Sequence, residues 1–122
     1  MKKIQKQIET YLKKRNWHEC NPADIAKSVS IESAELLELF QWENPDRALL
    51  KKDVRKMKDI QNEVSDVFIY LFNMAITLGF DAEKALLSKL RDVEKKYPAE
   101  KIALGHKEYL KIKKSYRKHK QK

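Results

Sequence analysis

The chain has 122 residues, with two Gly, three Pro and one Cys, and a formal net charge of +9. Its length gives one domain of ordinary size, long enough to bury a core. One cysteine excludes an internal disulfide, and the charged, periodic start MKKIQKQIETYLKK does not read as a signal peptide, so a cytoplasmic location is expected. The apolar run 67–80 is shorter than the about 20 residues of a membrane span, and Asn73 interrupts it. No membrane partner is expected.

The charge is unevenly spread. Residues 107–122 carry eight Lys or Arg and one Glu, which accounts for seven of the nine net positive charges. The sequence therefore divides into a nearly balanced body, residues 1–106, and a basic C-terminal tail, residues 107–122. A solvated helix end or a disordered extension is the plain reading of such a block. The sharper reading is a weak, salt-dependent contact with nucleic acid or polyphosphate.

Lys, Glu, Leu and Ala are abundant and favour helix, and no strand-like alternation of useful length occurs. The expected class is all-α. Residues 2–16 read as a helix with Ile4, Ile8 and Leu12 on one stripe, ending near Asn16-Trp17. A second helix starts at Asn21 as N-cap, with Pro22 in the first helical position and Asp24 in the first turn, and is expected to run to about Trp42. Asn44-Pro45-Asp46 breaks the chain and caps a short helical piece, after which a long third helix runs to Leu78. Gly79 is its natural stop. Asp81 caps a fourth helix that ends before Pro98, and a final helix with a frayed end completes the chain.

Two pairs of acids are out of place in this pattern. Glu32 and Glu35 are three residues apart, as are Glu63 and Asp66. At about 100° per residue, Ile25, Val29, Leu36, Leu39 and Phe40 fall within about 80° of Glu32. Glu32 thus lies in the apolar stripe of its helix, and Glu35 on its flank. The third helix is apolar around most of its circumference from Val64 to Leu78, which predicts burial on nearly all sides. One polar line survives on it: Asp59, Glu63, Asp66, Tyr70, Asn73 and Thr77, all within about 60° of one line along the helix. Carboxylates set against a core are costly unless something compensates them. Two facing helices carrying these four acids would form an oxygen-only cage, the donor set of Mg²⁺ or Mn²⁺. Its chemistry would be metal-assisted attack of water on a phosphoryl group. The competing reading is four surface acids paired to the many lysines.

The string Ser30–Trp42 (SIESAELLELFQW) followed by Glu63–Tyr70 (EVSDVFIY) resembles the MazG-like nucleotide pyrophosphohydrolases, and within them the dCTP pyrophosphatase type. Glu-x-x-Glu followed by Glu-x-x-Asp is specific in combination, though weak in either half. The resemblance covers roughly residues 17–98. It implies a four-helix-bundle fold completed by homo-oligomerisation, as a dimer or as a tetramer built from two dimers. The all-round apolar third helix independently asks for a partner surface.

It implies further that a nucleoside triphosphate is hydrolysed between its α and β phosphates, releasing a nucleoside monophosphate and pyrophosphate. Glu32, Glu35, Glu63 and Asp66 would be the metal ligands. Glu35, with Glu38 as the second candidate, would orient or deprotonate the attacking water. Trp17 and Trp42 correspond to aromatic residues of the base pocket, although both have the plainer role of sealing helix ends. Tyr70, one turn after Asp66, is placed to reach a metal-bound group or the sugar. Lys89 and Lys96 are candidate phosphate contacts, and Tyr97 of Lys96-Tyr97-Pro98 joins the substrate-binding set. Val93 stands where relatives often carry Asn, which bears on sugar and base preference. His18, His106 and His119 share no ligand spacing. The rival to an enzyme is a helical module that binds nucleic acid through the tail, with the acids as structural ion pairs.

Overall fold

The computed structural model describes residues 1–103 and 105–120, the last two of these by backbone alone. Seven helices follow in order: α1 (Lys2–Lys13), α2 (Pro22–Glu38), α3 (Arg47–Lys52), α4 (Val54–Leu78), α5 (Ala82–Lys96), α6 (Ala99–Ile102) and α7 (His106–Lys120). Among the described residues there is no strand, as the composition predicts. The four expected long helices are α1, α2, α4 and α5. Gln121 and Lys122, the end of the tail, lie outside the described residues. Among the described residues no single helix is long and apolar enough to cross a membrane.

The chain forms two compact units, Met1–Ala82 and Glu83–Lys122. In the first, α4 is the spine and packs mainly on α2, with α1 and α3 beside it. Leu12, Ile25, Phe72 and Ala75 are its buried apolar residues, and Asn73 is buried among them.

The start of α1 is tied to the turn that ends α4. Gln5 Nε2 donates to the Phe80 carbonyl at 3.0 Å, and Gln5 Oε1 accepts from the Ala82 N–H at 3.0 Å. Gly79 takes the left-handed conformation at φ 76°. With Phe80 N–H bonded to the Ala75 carbonyl at 2.9 Å and Gly79 N–H to Ile76 at 3.3 Å, the turn is a Schellman motif. The other end of α1 closes in the same way. Asn16 is the sole non-glycine residue with positive φ among those described, at 57°. Its N–H bonds to the Lys13 carbonyl at 3.1 Å, and the Trp17 N–H reaches back to Leu12 at 2.9 Å. The regular helix therefore ends at Lys13, three residues short of the expected Asn16. The stop is a left-handed asparagine rather than simple fraying.

α2 also stops early, at Glu38 rather than near Trp42. The Leu39 and Phe40 N–H groups bond three residues back, to Leu36 at 3.2 Å and Leu37 at 2.9 Å, which tightens the last turn. Lys56 Nζ then donates to the Leu39 carbonyl at 2.6 Å. A cation on the last carbonyls satisfies an orphan acceptor and opposes the negative end of the helix dipole. Asn21 sits at the N-cap, but its side chain makes no capping bond. Asp46 and Asp53 do cap, accepting from Ala48 and Lys56 N–H at 3.0 Å each.

In the second unit α6 packs on α7. Tyr97 lies 5.1 Å from Tyr109, and the Lys96 ammonium sits 5.1 Å from the Tyr97 ring and 5.0 Å from that of Tyr116. The basic stretch that begins at Lys107 is helical through Lys120.

Candidate metal centre

The packing of α2 on α4 brings the two acidic pairs together. One carboxylate oxygen each from Glu32, Glu35, Glu63 and Asp66 lie within 4.8 Å of one another. Helical spacing explains it, since residues three apart share a face and the two faces meet across the α2–α4 contact. Glu32 Oε2 and Glu63 Oε2 are shut off from solvent and have no hydrogen-bond partner. No described lysine or arginine forms an ion pair with any of the four, so the lysine-paired alternative does not describe this cluster.

Like charges this close resist ionising together. Glu32 is pushed up to about 7, first by its hydrogen bond to Glu35, then by burial and by repulsion from Glu35, Asp66 and Glu63. Glu63 is raised by burial, by repulsion from and hydrogen bonding to Glu35, and by Asp66 and Glu38. Glu35 is thus the hub of the cluster, in contact with an acid from each helix. The four fit a hard divalent cation: an all-oxygen donor set, converging, with two buried oxygens that no described residue satisfies. Glu38 is exposed, one turn along α2, and near enough to Glu63 to raise it.

Beside the cluster opens a cavity of about 450 Å³. Glu32 and Asp66 form its edge with the acids, and Ile69, Tyr70 and Asn73 of α4 form its floor. Gln7, Ile8, Tyr11 and Leu12 of α1 and Trp17 just after it complete the lining. The Schellman turn at Asn16 sets Trp17 in place, with its ring edge-on to Tyr11 at 6.1 Å and 68°. Cys20 Sγ donates to the Trp17 carbonyl at 3.1 Å and holds the turn from the far side. Arg15 covers the other side of Tyr11, its guanidinium carbon 3.9 Å from the ring centre.

Of the sequence-predicted residues, the four acids, Trp17 and Tyr70 come together here. Trp42 is not among the lining residues and is 86% exposed. Lys89, Lys96 and Tyr97 belong to the second unit. Gln7 and Tyr11 were given no site role by the sequence reading. Their one signal was Tyr11 standing six residues before Trp17 across a helix stop. His18, set aside as a ligand, has a buried Nδ1 with no hydrogen-bond partner.

Residues 27–112 match the MazG-like family. The chain belongs to that family. It is 30% identical over 100 residues to human dCTP pyrophosphatase 1, covering 80% of this chain and 59% of that protein. It is 32% identical over 87 residues to the bovine dCTP pyrophosphatase 1, covering 69% and 51%. The chain therefore spans between half and three-fifths of the length of these curated relatives. It is also similar to the crystal structure of a pyrophosphatase from Archaeoglobus fulgidus, with a TM-score of 0.67, 31% identity, and coverage of 80% of this chain and 92% of that one. The MazG-like resemblance read from Glu32, Glu35, Glu63 and Asp66 is thus the family found, and the all-α class is the class found.

Proposed function

We propose that this MazG-like chain is a divalent-cation-dependent nucleoside triphosphate pyrophosphohydrolase that cleaves between the α and β phosphates. The observation that carries the reading is the convergence of four carboxylates, two of which, Glu32 and Asp66, line a cavity shared with Trp17 and Tyr70. Kinship with proteins named dCTP pyrophosphatase 1 and pyrophosphatase supports it.

Glu32, Glu35, Glu63 and Asp66 would hold the cation, Mg²⁺ or Mn²⁺. When bound, the cation neutralises triphosphate charge and lowers the pKa of the attacking water. Glu35, in contact with both helices' acids, orients that water and takes its proton. The water oxygen bonds to the α-phosphorus as the bond to the bridging oxygen breaks, and pyrophosphate leaves. Glu38 is the alternative proton acceptor. Trp17 offers the base an aromatic face, and the Tyr70 hydroxyl a polar contact at the sugar. Lys89, Lys96 and Tyr97 keep the substrate-binding roles implied by the family pattern alone. The bulk of the catalysis is positioning and electrostatics, as in phosphoryl transfer generally.

A panel of common and modified ribo- and deoxynucleoside triphosphates with Mg²⁺ tests the reading, scored for pyrophosphate against orthophosphate. Pyrophosphate as the first product is expected. Orthophosphate as the first product rules out α–β cleavage.

The same reading includes self-association. Phe68 and Leu71 on α4 are 47% and 46% exposed, and Ile31 and Leu37 on α2 are 59% and 65% exposed. Apolar surface repeated on adjoining helices is what a second copy would cover. Sedimentation should find a dimer or larger for the wild type and a lighter species for Leu71→Glu. A wild-type monomer at micromolar concentration sinks this part.

A further inference from the structure

Asn73 is the one buried polar residue among those described, only 6% exposed, on the floor of the cavity. Its Oδ1 accepts from the Thr77 hydroxyl at 3.1 Å, a hydroxyl shared with the His18 carbonyl at 3.4 Å. No described group takes the amide hydrogens of Asn73, and Nδ2 is not among the sealed, unpartnered atoms. With its oxygen held by Thr77 and the residue lining the cavity, the amide nitrogen faces the open space. A donor on a largely buried side chain that opens only to the cavity meets few waters, and a ligand acceptor would take their place.

The position of this donor is specific. Asn73 lies on the same line of α4 as Asp66, two turns on, which is about 10 Å along the axis. A nucleotide with its phosphates at the acids and its sugar beside Tyr70 would bring its base to Asn73, against the paired rings of Tyr11 and Trp17. We infer that Asn73 is a specificity-determining residue, donating from Nδ2 to a ring carbonyl of the base. Thr77 is the positioning residue that fixes which end of the amide faces the cavity. Cytosine, uracil, thymine and guanine carry such a carbonyl, whereas adenine offers only ring nitrogens as acceptors, so the discrimination is one of carbonyl against ring nitrogen. The substrate class is therefore a nucleoside triphosphate with a carbonyl-bearing base. The inference rests on the functional reading above.

The experiment measures kcat/KM for pyrophosphate release from dCTP, dTTP, dGTP and dATP by the wild type, Asn73→Ala and Thr77→Val, with folding of each checked by circular dichroism. The wild type should favour the carbonyl-bearing bases over dATP. In Asn73→Ala that ratio should fall about tenfold, the worth of one hydrogen bond to a buried group. Damage to the fold alone would slow all four substrates alike and leave the ratio unmoved. Thr77→Val is nearly isosteric, frees the amide to turn, and should move the ratio in the same direction. It decides the matter if Asn73→Ala does not fold. An unchanged ratio in a folded variant overturns the inference. So does a wild-type preference for dATP, which would place Oδ1 rather than Nδ2 against the base. If the wild type releases no pyrophosphate from any nucleotide, the functional reading itself falls, and this inference with it.

Discussion

Glu35→Gln should lower Mg²⁺-dependent pyrophosphate release by about a thousandfold or more, the scale of losing an electrostatic or metal-binding group at a phosphoryl centre. The glutamine keeps the shape of the side chain but removes its charge and its basicity. Glu35 touches Glu32 on its own helix and Glu63 on the facing one, so it joins the two halves of the cluster. A steady-state assay with saturating nucleotide and Mg²⁺ reads the effect, with circular dichroism as the control for fold. Turnover at the wild-type rate would remove Glu35 from the site. The same variant carries a second readout that needs no substrate. Without a cation, the four acids repel one another, so removing one charge should raise the thermal midpoint of the metal-free protein by a few degrees. A drop in that midpoint would mean that the acids are structural partners rather than a cage.

The second large effect is a stability that depends jointly on pH and divalent cation. In the folded, metal-free chain Glu32 keeps its proton up to about pH 7, against an ordinary value of 4.5. Between those values the folded state binds more protons than the unfolded one, so stability falls as pH rises. Glu63, also raised, adds in the same direction. The contribution is fully present below about pH 4.5 and lost once pH passes about 7. Mg²⁺ or Mn²⁺ should reverse this, because the cation competes with the shared protons and takes up the oxygens that nothing else satisfies. At a hundredfold excess over its Kd, a cation that binds only the folded state adds about 2.7 kcal/mol. For a chain of this size that is a rise of about 10 °C in midpoint. The rise should be larger at pH 8 than at pH 5.5 and should largely vanish in Glu32→Gln. Thermal melts at the two pH values, with and without cation and with a chelator control, check it. An equal cation effect at both values would contradict the proton competition.

The features legible in the sequence were those written in helical periodicity. Glu32 intruding on an apolar stripe, and the line from Glu63 through Asp66, Tyr70 and Asn73, follow from rotation about one axis, and the α2–α4 contact brings them together. Gly79 was legible because a left-handed position favours the residue without a Cβ. The early end of α2 was not, since Leu39 to Trp42 has no strong breaker and the stop depends on Lys56, seventeen residues away, reaching the Leu39 carbonyl. Asn16 is a weaker signal than glycine for the same turn, so the wall that Trp17 and Tyr11 build was invisible as a wall. Trp17 and Trp42 looked equivalent as aromatics near helix ends. Only the tertiary fold separates them, placing the first in the cavity and leaving the second open to solvent.

The cavity has its chemistry on one side and its shape on the other. The acids come from α2 and α4, whereas Gln7, Ile8, Tyr11, Leu12 and Trp17 all come from the first seventeen residues. Besides its packing on α4, that stretch is held by the Gln5 clamp on the Phe80–Ala82 turn and by the Lys2–Asp81 ion pair at 3.8 Å. Substitutions along α1 can therefore alter which bases fit while the carboxylates stay where they are. In the proposed enzyme, the share of substrate range set by α1 would be inherited apart from bond-breaking, while the share set by Asn73 travels with the acids of α4.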